Sequence, residues 1–198
     1  MTGERQPTDW APMTEDEIRQ AWVTEPPQLS GPVTIVDYDS AWPALFARED
    51  GRIRAALGNR VVQLEHAGST SVPGLAAKPI IDMLLVVADS SAEDAYGPPL
   101  QAAGYVLVIR EPNWHQHRVF KGPDTNVNLH VLSAGSPEIG RILAFRDWLR
   151  THDDDRRLYE RAKRELAARS WTYVQNYADA KTEVVEGIIA RALASRER

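Results

Sequence analysis

Apolar and polar positions along this chain follow two different periods, and the order of those periods predicts an α+β fold. Thr14 heads a short polar helix over Glu15 to Val23, with Glu17 at capping-box spacing. Trp42, Leu45, Phe46, Ile53 and Leu57 then recur as a helical stripe behind a Ser40 cap, and Gly58-Asn59 ends that run. Short β-type runs follow at Val33–Val36, Val61–Glu65, Pro79–Val87, Tyr105–Ile109, His117–Lys121 and Val127–Leu132. In the Pro79–Val87 run, Ile80, Ile81, Met83, Leu84, Leu85, Val86 and Val87 are apolar almost throughout, which predicts a strand buried on both faces. Ser91–Ala103 has helical spacing up to Gly104, and after Ser136-Pro137 three helices are expected, over 138–150, 153–169 and 177–194. The prediction is a mixed β-sheet backed by helices, with a helical C-terminal third. Residues 1–30 read as an N-terminal extension, unstructured over 1–13 and ending in a Pro- and Gly-containing linker, and 31–198 as one domain.

Composition narrows the chemistry. The 198 residues are 43% hydrophobic, enough for one good-sized core. A formal charge of −5 argues against a general nucleic-acid binder but leaves room for a local basic pocket. The absence of cysteine excludes disulfides, thiolate ligands and cysteine nucleophiles. No apolar run approaches the roughly 18 residues of a membrane span, and the first residues hold no apolar signal core, so a cytoplasmic protein is expected.

The candidate chemistry lies in LEHAGSTSVPGLAAKPIIDML, residues 64–84. Gly68 permits a sharp turn after a strand, and the backbone N–H groups with the hydroxyls of Ser69, Thr70 and Ser71 supply donors to an anion. Lys78 adds a mobile positive charge, although the ending of a Walker loop is absent. Asp82 interrupts an otherwise apolar strand, where a carboxylate needs a cation or donors. Either an ion pair with Lys78 or a metal or catalytic role meets that need. His66, Asp82, His117 and His130 would together suit Zn²⁺ or another transition metal better than Mg²⁺, and His130 alone could act as a general base. His115 and His117 share a face if their segment is a strand.

EHAGSTSVPGLAAKPIIDML resembles the signature of the GrpB family, an uncharacterised group similar to the polymerase-β-like nucleotidyltransferases. The likeness continues in VDYDSAW (36–42), REPNWHQHR (110–118), NVNLHV (126–131), FRDWLR (145–150), LYERAK (158–163) and YADAK (177–181). It implies a nucleotidyltransferase-type sheet, a nucleoside triphosphate held by Gly68, Ser69 and Thr70, and Mg²⁺ or Mn²⁺ held by carboxylates. Asp82 matches the first of those carboxylates. The alternating partner position is Leu84 and the third is His130, so the usual two-metal donor set is not reproduced; Glu65, Asp37 or Asp39 could come in from elsewhere. Arg146, Lys163 and Lys181 fall in family-like segments and are the candidates for lining a phosphate cleft. The resemblance therefore implies nucleotidyl transfer to a small-molecule acceptor, with Asp82 and His130 at the reacting centre. A non-catalytic nucleotide-binding module and a metal-dependent phosphohydrolase are the alternatives. GrpB-like domains also resemble a region joined to dephospho-coenzyme A kinase in some bacteria, which adds that metabolite to the candidate ligands.

Overall fold

The most apolar strand is the one around which the sheet is built. The computed structural model describes residues 12–196, so residues 1–11 of the expected unstructured run lie outside it. β1 (Gln63–Ala67), β2 (Ile81–Val87), β3 (Val106–Glu111), β4 (His117–Lys121) and β5 (Val127–Ser133) form one sheet in the order β1-β2-β5-β4-β3. β2 runs parallel to β5, and the other pairs are antiparallel. The helices are α1 (Glu15–Ala21), α2 (Trp42–Leu57), α3 (Gly97–Ala102), α4 (Pro137–Thr151), α5 (Asp153–Ala167), α6 (Val174–Asp179) and α7 (Thr182–Arg196). This is the expected mixed α+β architecture of the nucleotidyltransferase type.

Alternation along the strands separates two environments. Ile81, Met83, Leu85, Val127, Leu129 and Val131 point to one face, where Trp42, Ile53 and Leu57 of α2 and Leu100 of α3 close the main core. On the opposite face, Ala67, Leu84, Val86 and Leu132 pack under Ile139, Ile142 and Leu143 of α4. β2 is thus covered on both sides, which explains its unbroken apolar run. Asp82 shares the second face with Leu84 and Val86, and that face carries the candidate site.

Several local expectations change in three dimensions. Val33–Val36 is not a strand of the sheet; Val36 makes one isolated bridge to Ala77. Val33 and Ile35 instead bury against Leu166, Ala167 and Tyr177, so their apolar character serves a helix contact. The α2 start is held by Asp39, whose Oδ1 accepts from the Ala41 N–H at 2.8 Å, rather than by Ser40. The helix expected over 91–103 is divided: Pro98 and Pro99, in the first turn of α3, make a new start after a 3-10 turn at Glu93–Ala95. The last helix also divides at Ala180-Lys181, where the Lys181 ammonium donates to the Tyr177 carbonyl at 3.2 Å. His115 does not share a strand face with His117, because it lies in the β3–β4 turn with φ +52°.

The described part of the N-terminal segment is docked. Thr14 and Glu17 complete the capping box of α1. Beyond α1, the Val23 N–H donates to Val108 at 2.9 Å and the Leu29 N–H donates to Thr172 at 2.9 Å. The segment therefore runs from β3 to the residues before α6 and walls one side of the site.

One buried ionic cluster ties α2 to the sheet. The Glu49 carboxylate, fully buried, accepts from the Tyr105 hydroxyl and the Thr125 hydroxyl, each at 2.6 Å, with Arg48 and Arg52 both 3.4 Å away. Glu49→Ala leaves those donors unpaired and is expected to cost roughly 3 kcal/mol or more. Urea unfolding measures this, and Glu49→Gln should lose distinctly less.

Candidate functional site

The turn after β1 is closed by its own side chains. Ala67 pairs with Asp82 across the β1–β2 ladder, and Gly68 follows with φ 64° and ψ −173°. A Cβ on Gly68 would sit 2.3 Å from Asp82 Oδ2, so both conformation and carboxylate contact demand glycine here. Ser71 Oγ donates to the Gly68 carbonyl at 2.6 Å, and Thr70 Oγ1 donates to the Ile80 carbonyl at 3.0 Å. These two hydroxyls are committed to holding the turn. Ser69 faces the buried Tyr159 hydroxyl, which burial raises to about 12.

Asp82 is held by polar neighbours on the same sheet face. Its Oδ1 accepts from Asn128 Nδ2 at 2.8 Å and lies 3.7 Å from His130 Nε2, beyond direct hydrogen-bond reach. Asn128 is itself oriented by the Lys121 ammonium, which donates to its Oδ1. Burial pushes the Asp82 carboxyl pKa up, but His130, Asn128 and Lys78 together outweigh burial and leave it below its ordinary value. Behind His130, its Nδ1 meets His117 Nε2 at 3.0 Å, and His117 Nδ1 meets Glu111 Oε2 at 2.7 Å.

Lysines gather beside this pair. Lys78 and Lys181 place their ammonium groups 5.5 and 3.8 Å from the centre of the Tyr177 ring, and Lys163 lies 4.7 Å from the Tyr159 ring. Lys163 also donates to the Ala76 carbonyl. Burial brings both Lys163 and Lys181 down to about 7, helped by repulsion from Arg164 and Lys78 at Lys163 and from Lys78 and Lys163 at Lys181. Burial also lowers Lys78 and Lys121, with Asp82 opposing the shift in each.

A cleft of about 460 Å³ opens onto Asp82 and onto Lys78 and Lys121, while Lys163 and Lys181 are not among its lining residues; the volume is within the range of small-ligand sites. Gly68, Lys78, Lys121, Asp82, Asn128 and His130 line its polar part. Ile18, Trp22, Pro26 and Pro27 of the N-terminal segment form an apolar wall. Ile142, Phe145, Val185 and Ile189 of α4 and α7 face them.

Of the expected site residues, Ser69, Thr70, His117, Lys163 and Lys181 are not among the cleft's lining residues, and His66 and Arg146 lie elsewhere. His66 pairs with Met83, on the opposite sheet face from Asp82, and stacks on Phe46 at 4.9 Å. Its Nε2 meets Thr70 Oγ1 at 3.1 Å; because that hydroxyl already donates to Ile80, His66 is the donor. Arg146 donates to Glu65 at 2.8 Å, to the His66 carbonyl at 3.1 Å and to Asp147 at 2.8 Å. Both residues line a separate open depression bounded by Tyr38, Phe46 and Arg150.

The donor set does not fit a two-metal centre. Leu84 is packed beneath α4, His66 faces away, and both nitrogens of His117 are engaged by Glu111 and His130. Among the described residues no group of three His, Cys, Asp or Glu converges as a metal site. Neither Asp37 nor Glu65 comes in to replace the missing acid: Asp37 pairs with Arg164 and Glu65 with Arg146. Asp39 caps α2.

Residues 32–191 match the family described as GrpB protein. The chain belongs to the GrpB family. Within it, a UPF0157 protein of Halalkalibacterium halodurans is 55% identical over 93% of this chain and 94% of its own. A UPF0157 protein of Streptomyces coelicolor is 43% identical over 90% of this chain and 96% of its own. The crystal structure of GrpB from Enterococcus faecalis superposes with a TM-score of 0.74 at 30% identity, covering 83% of this chain and all of that one.

Sequence reasoning missed Glu111, Lys121, Asn128, Tyr159 and Tyr177. Four of them stand inside the GrpB-like segments: Glu111 beside His117, Asn128 two residues before His130, Tyr159 in LYERAK and Tyr177 in YADAK. Period-two spacing along β5 puts Asn128 and His130 on one face, which is the signal that could have found Asn128.

His66 generates a stability test. Burial lowers its pKa to about 4, and the nearby Arg150 and Arg146 act in the same direction against the opposing charge of Asp82. A buried neutral imidazole contributes stability above the unfolded value near 6.5, and that contribution falls away as pH drops from about 6.5 toward 4. Urea midpoints measured at pH 7 and pH 4.5 should therefore differ by more in the wild type than in His66→Gln.

Proposed function

We propose that this GrpB protein binds a nucleoside triphosphate in the lysine-lined part of the cleft and transfers its nucleotidyl group to a small-molecule acceptor. The observation that carries the reading is the grouping of Lys78, Lys121, Lys163 and Lys181 around the Gly68–Asp82 contact, with Asp82 as the carboxylate among them. Lysines whose pKa burial has lowered, to about 7 at Lys163 and Lys181, regain their charge when a polyanion joins them, which favours phosphate over neutral ligands.

In this scheme His130 Nε2 takes the proton of the acceptor hydroxyl. The acceptor oxygen attacks the α-phosphorus, a new phosphorus–oxygen bond forms, and the bond to the bridging oxygen breaks to release pyrophosphate. Asp82 stabilises the imidazolium formed on His130. The apolar walls hold the acceptor's body and exclude water. No step is assigned to a divalent ion fixed by the protein; Mg²⁺ or Mn²⁺ arrives on the triphosphate.

A second reading, a binding module without catalysis, is favoured by Leu84, whose burial under α4 removes the second carboxylate position. The two separate experimentally. Calorimetry with each nucleoside triphosphate, and with dephospho-coenzyme A, reads binding, while pyrophosphate release with Mg²⁺ or Mn²⁺ and a metabolite extract reads transfer. His130→Ala should retain binding and lose pyrophosphate release. Binding without release in the wild type supports the module, and absence of both sinks the nucleotide reading.

The lysines set a pH dependence. Lys163 and Lys181 carry charge below about 7 and lose it above, so triphosphate affinity should fall as pH rises from 6.5 to 8.5. Lys181→Ala should weaken binding by about tenfold at pH 6.5 and flatten the profile. A pH-independent affinity in the wild type excludes these lysines from the phosphate site.

A further inference from the structure

We infer that Glu111 and His117 are positioning residues that hold His130 in the tautomer whose bare Nε2 faces the cleft. The inference rests on the reading of His130 as base, but its geometry is independent of any substrate.

Glu111 ends β3 and His117 begins β4, and the two are paired across the hairpin on the same sheet face as His130. The turn joining them holds His115 and Gln116 at φ +52°, two consecutive non-glycine residues in the left-handed region. That conformation is costly and survives only where the surroundings impose it. Trp114 and His117 make an edge contact at 5.1 Å, and the His117 and His130 rings lie nearly parallel, their centres 5.2 Å apart with an interplanar angle of 11°. The imidazoles are therefore fixed in plane as well as in distance.

The protons follow from the donors and acceptors. An ionised Glu111 only accepts, so the 2.7 Å contact places a hydrogen on His117 Nδ1. Burial keeps His117 neutral by lowering its pKa, against the opposing pull of Glu111. Its Nε2 is then bare, and the 3.0 Å contact must be donated by His130 Nδ1–H. Neutral His130 is left with its lone pair on Nε2, 3.7 Å from Asp82 Oδ1 and open to the cleft.

Two acceptors facing each other at that separation leave a place for a group that brings a proton. A hydroxyl there loses its O–H bond, an N–H bond forms on His130 Nε2, and the electron pair stays on the hydroxyl oxygen. The resulting imidazolium lies between Asp82 and the neutral His117, which still accepts from Nδ1–H. Without Glu111, His117 is free to carry its hydrogen on Nε2 and donate to His130 Nδ1. That reverses the chain, puts N–H toward Asp82 and removes the base.

Long-range imidazole ¹⁵N NMR of the full chain at pH 8 tests this. The wild type should show His130 protonated on Nδ1 and bare on Nε2. Glu111→Leu should move His130 toward the Nε2–H form, with Glu111→Asp restoring the wild-type pattern and with His66 signals reporting an intact fold. Where turnover is measurable, Glu111→Leu should lower kcat at least tenfold with little change in KM for the triphosphate. A wild-type His130 protonated on Nε2 overturns the inference with no variant needed, and an unchanged tautomer in a folded Glu111→Leu does so as well. The expected tautomer in a protein that never releases pyrophosphate supports the positioning while refuting transfer.

Discussion

Asp82 is a carboxylate set into the most buried strand of the sheet, and the arrangement around it answers that cost. An ionised group in such a place is stable only with donors or opposite charge close by. Asn128 supplies a hydrogen bond, Lys78 supplies favourable charge, and Gly68 yields the space that any side chain would have filled. Lys121 then orients Asn128, and Glu111 with His117 orients His130. Each partner is in place because strand register puts alternate residues of β2, β5 and β4 on one face. Shifting any of these strands by one residue would turn the polar set into the α2 core.

The same constraint divides the cleft. Lysines collect at the Asp82 and Asn128 end. Toward Leu84 and Leu132 the sheet face becomes apolar, and α4 and α7 cover it. His130 stands between the two, opposite Leu84 in the parallel ladder. A lysine-rich end, a central imidazole and an apolar end thus follow from three successive pairs along two neighbouring strands. The N-terminal segment closes the remaining side through backbone bonds to β3, so the cleft is bounded by parts of the chain far apart in sequence.

GrpB membership and the α+β sheet were legible because they depend on local patterns: an unbroken apolar β2, period-two spacing in β5, and a long motif around Gly68. The strand limits differ by about two residues, as expected where hydrogen bonding rather than side-chain pattern defines an end. Val33–Val36 misled because apolar residues that bury against helices look the same as those that bury in a sheet. His66 misled because proximity in the motif does not report on which face a side chain lies, and Arg146 because a helical segment does not show that Glu65 and Asp147 take up its guanidinium.

Taken alone, the sequence determined that a Gly-Ser turn and a strand-borne acid stand together, since both belong to one continuous segment whose turn brings its ends into register. It also determined that the second carboxylate of a two-metal set is absent, because Leu84 occupies that position whatever the fold does. Tertiary structure decided the rest. Glu111, His117 and His130 meet only when β3, β4 and β5 are side by side, and the lysines meet Asp82 only when α5 and the α6–α7 break close over the turn. Proton placement and lysine charge depend on burial and on neighbours from distant strands and helices, quantities that no local pattern encodes.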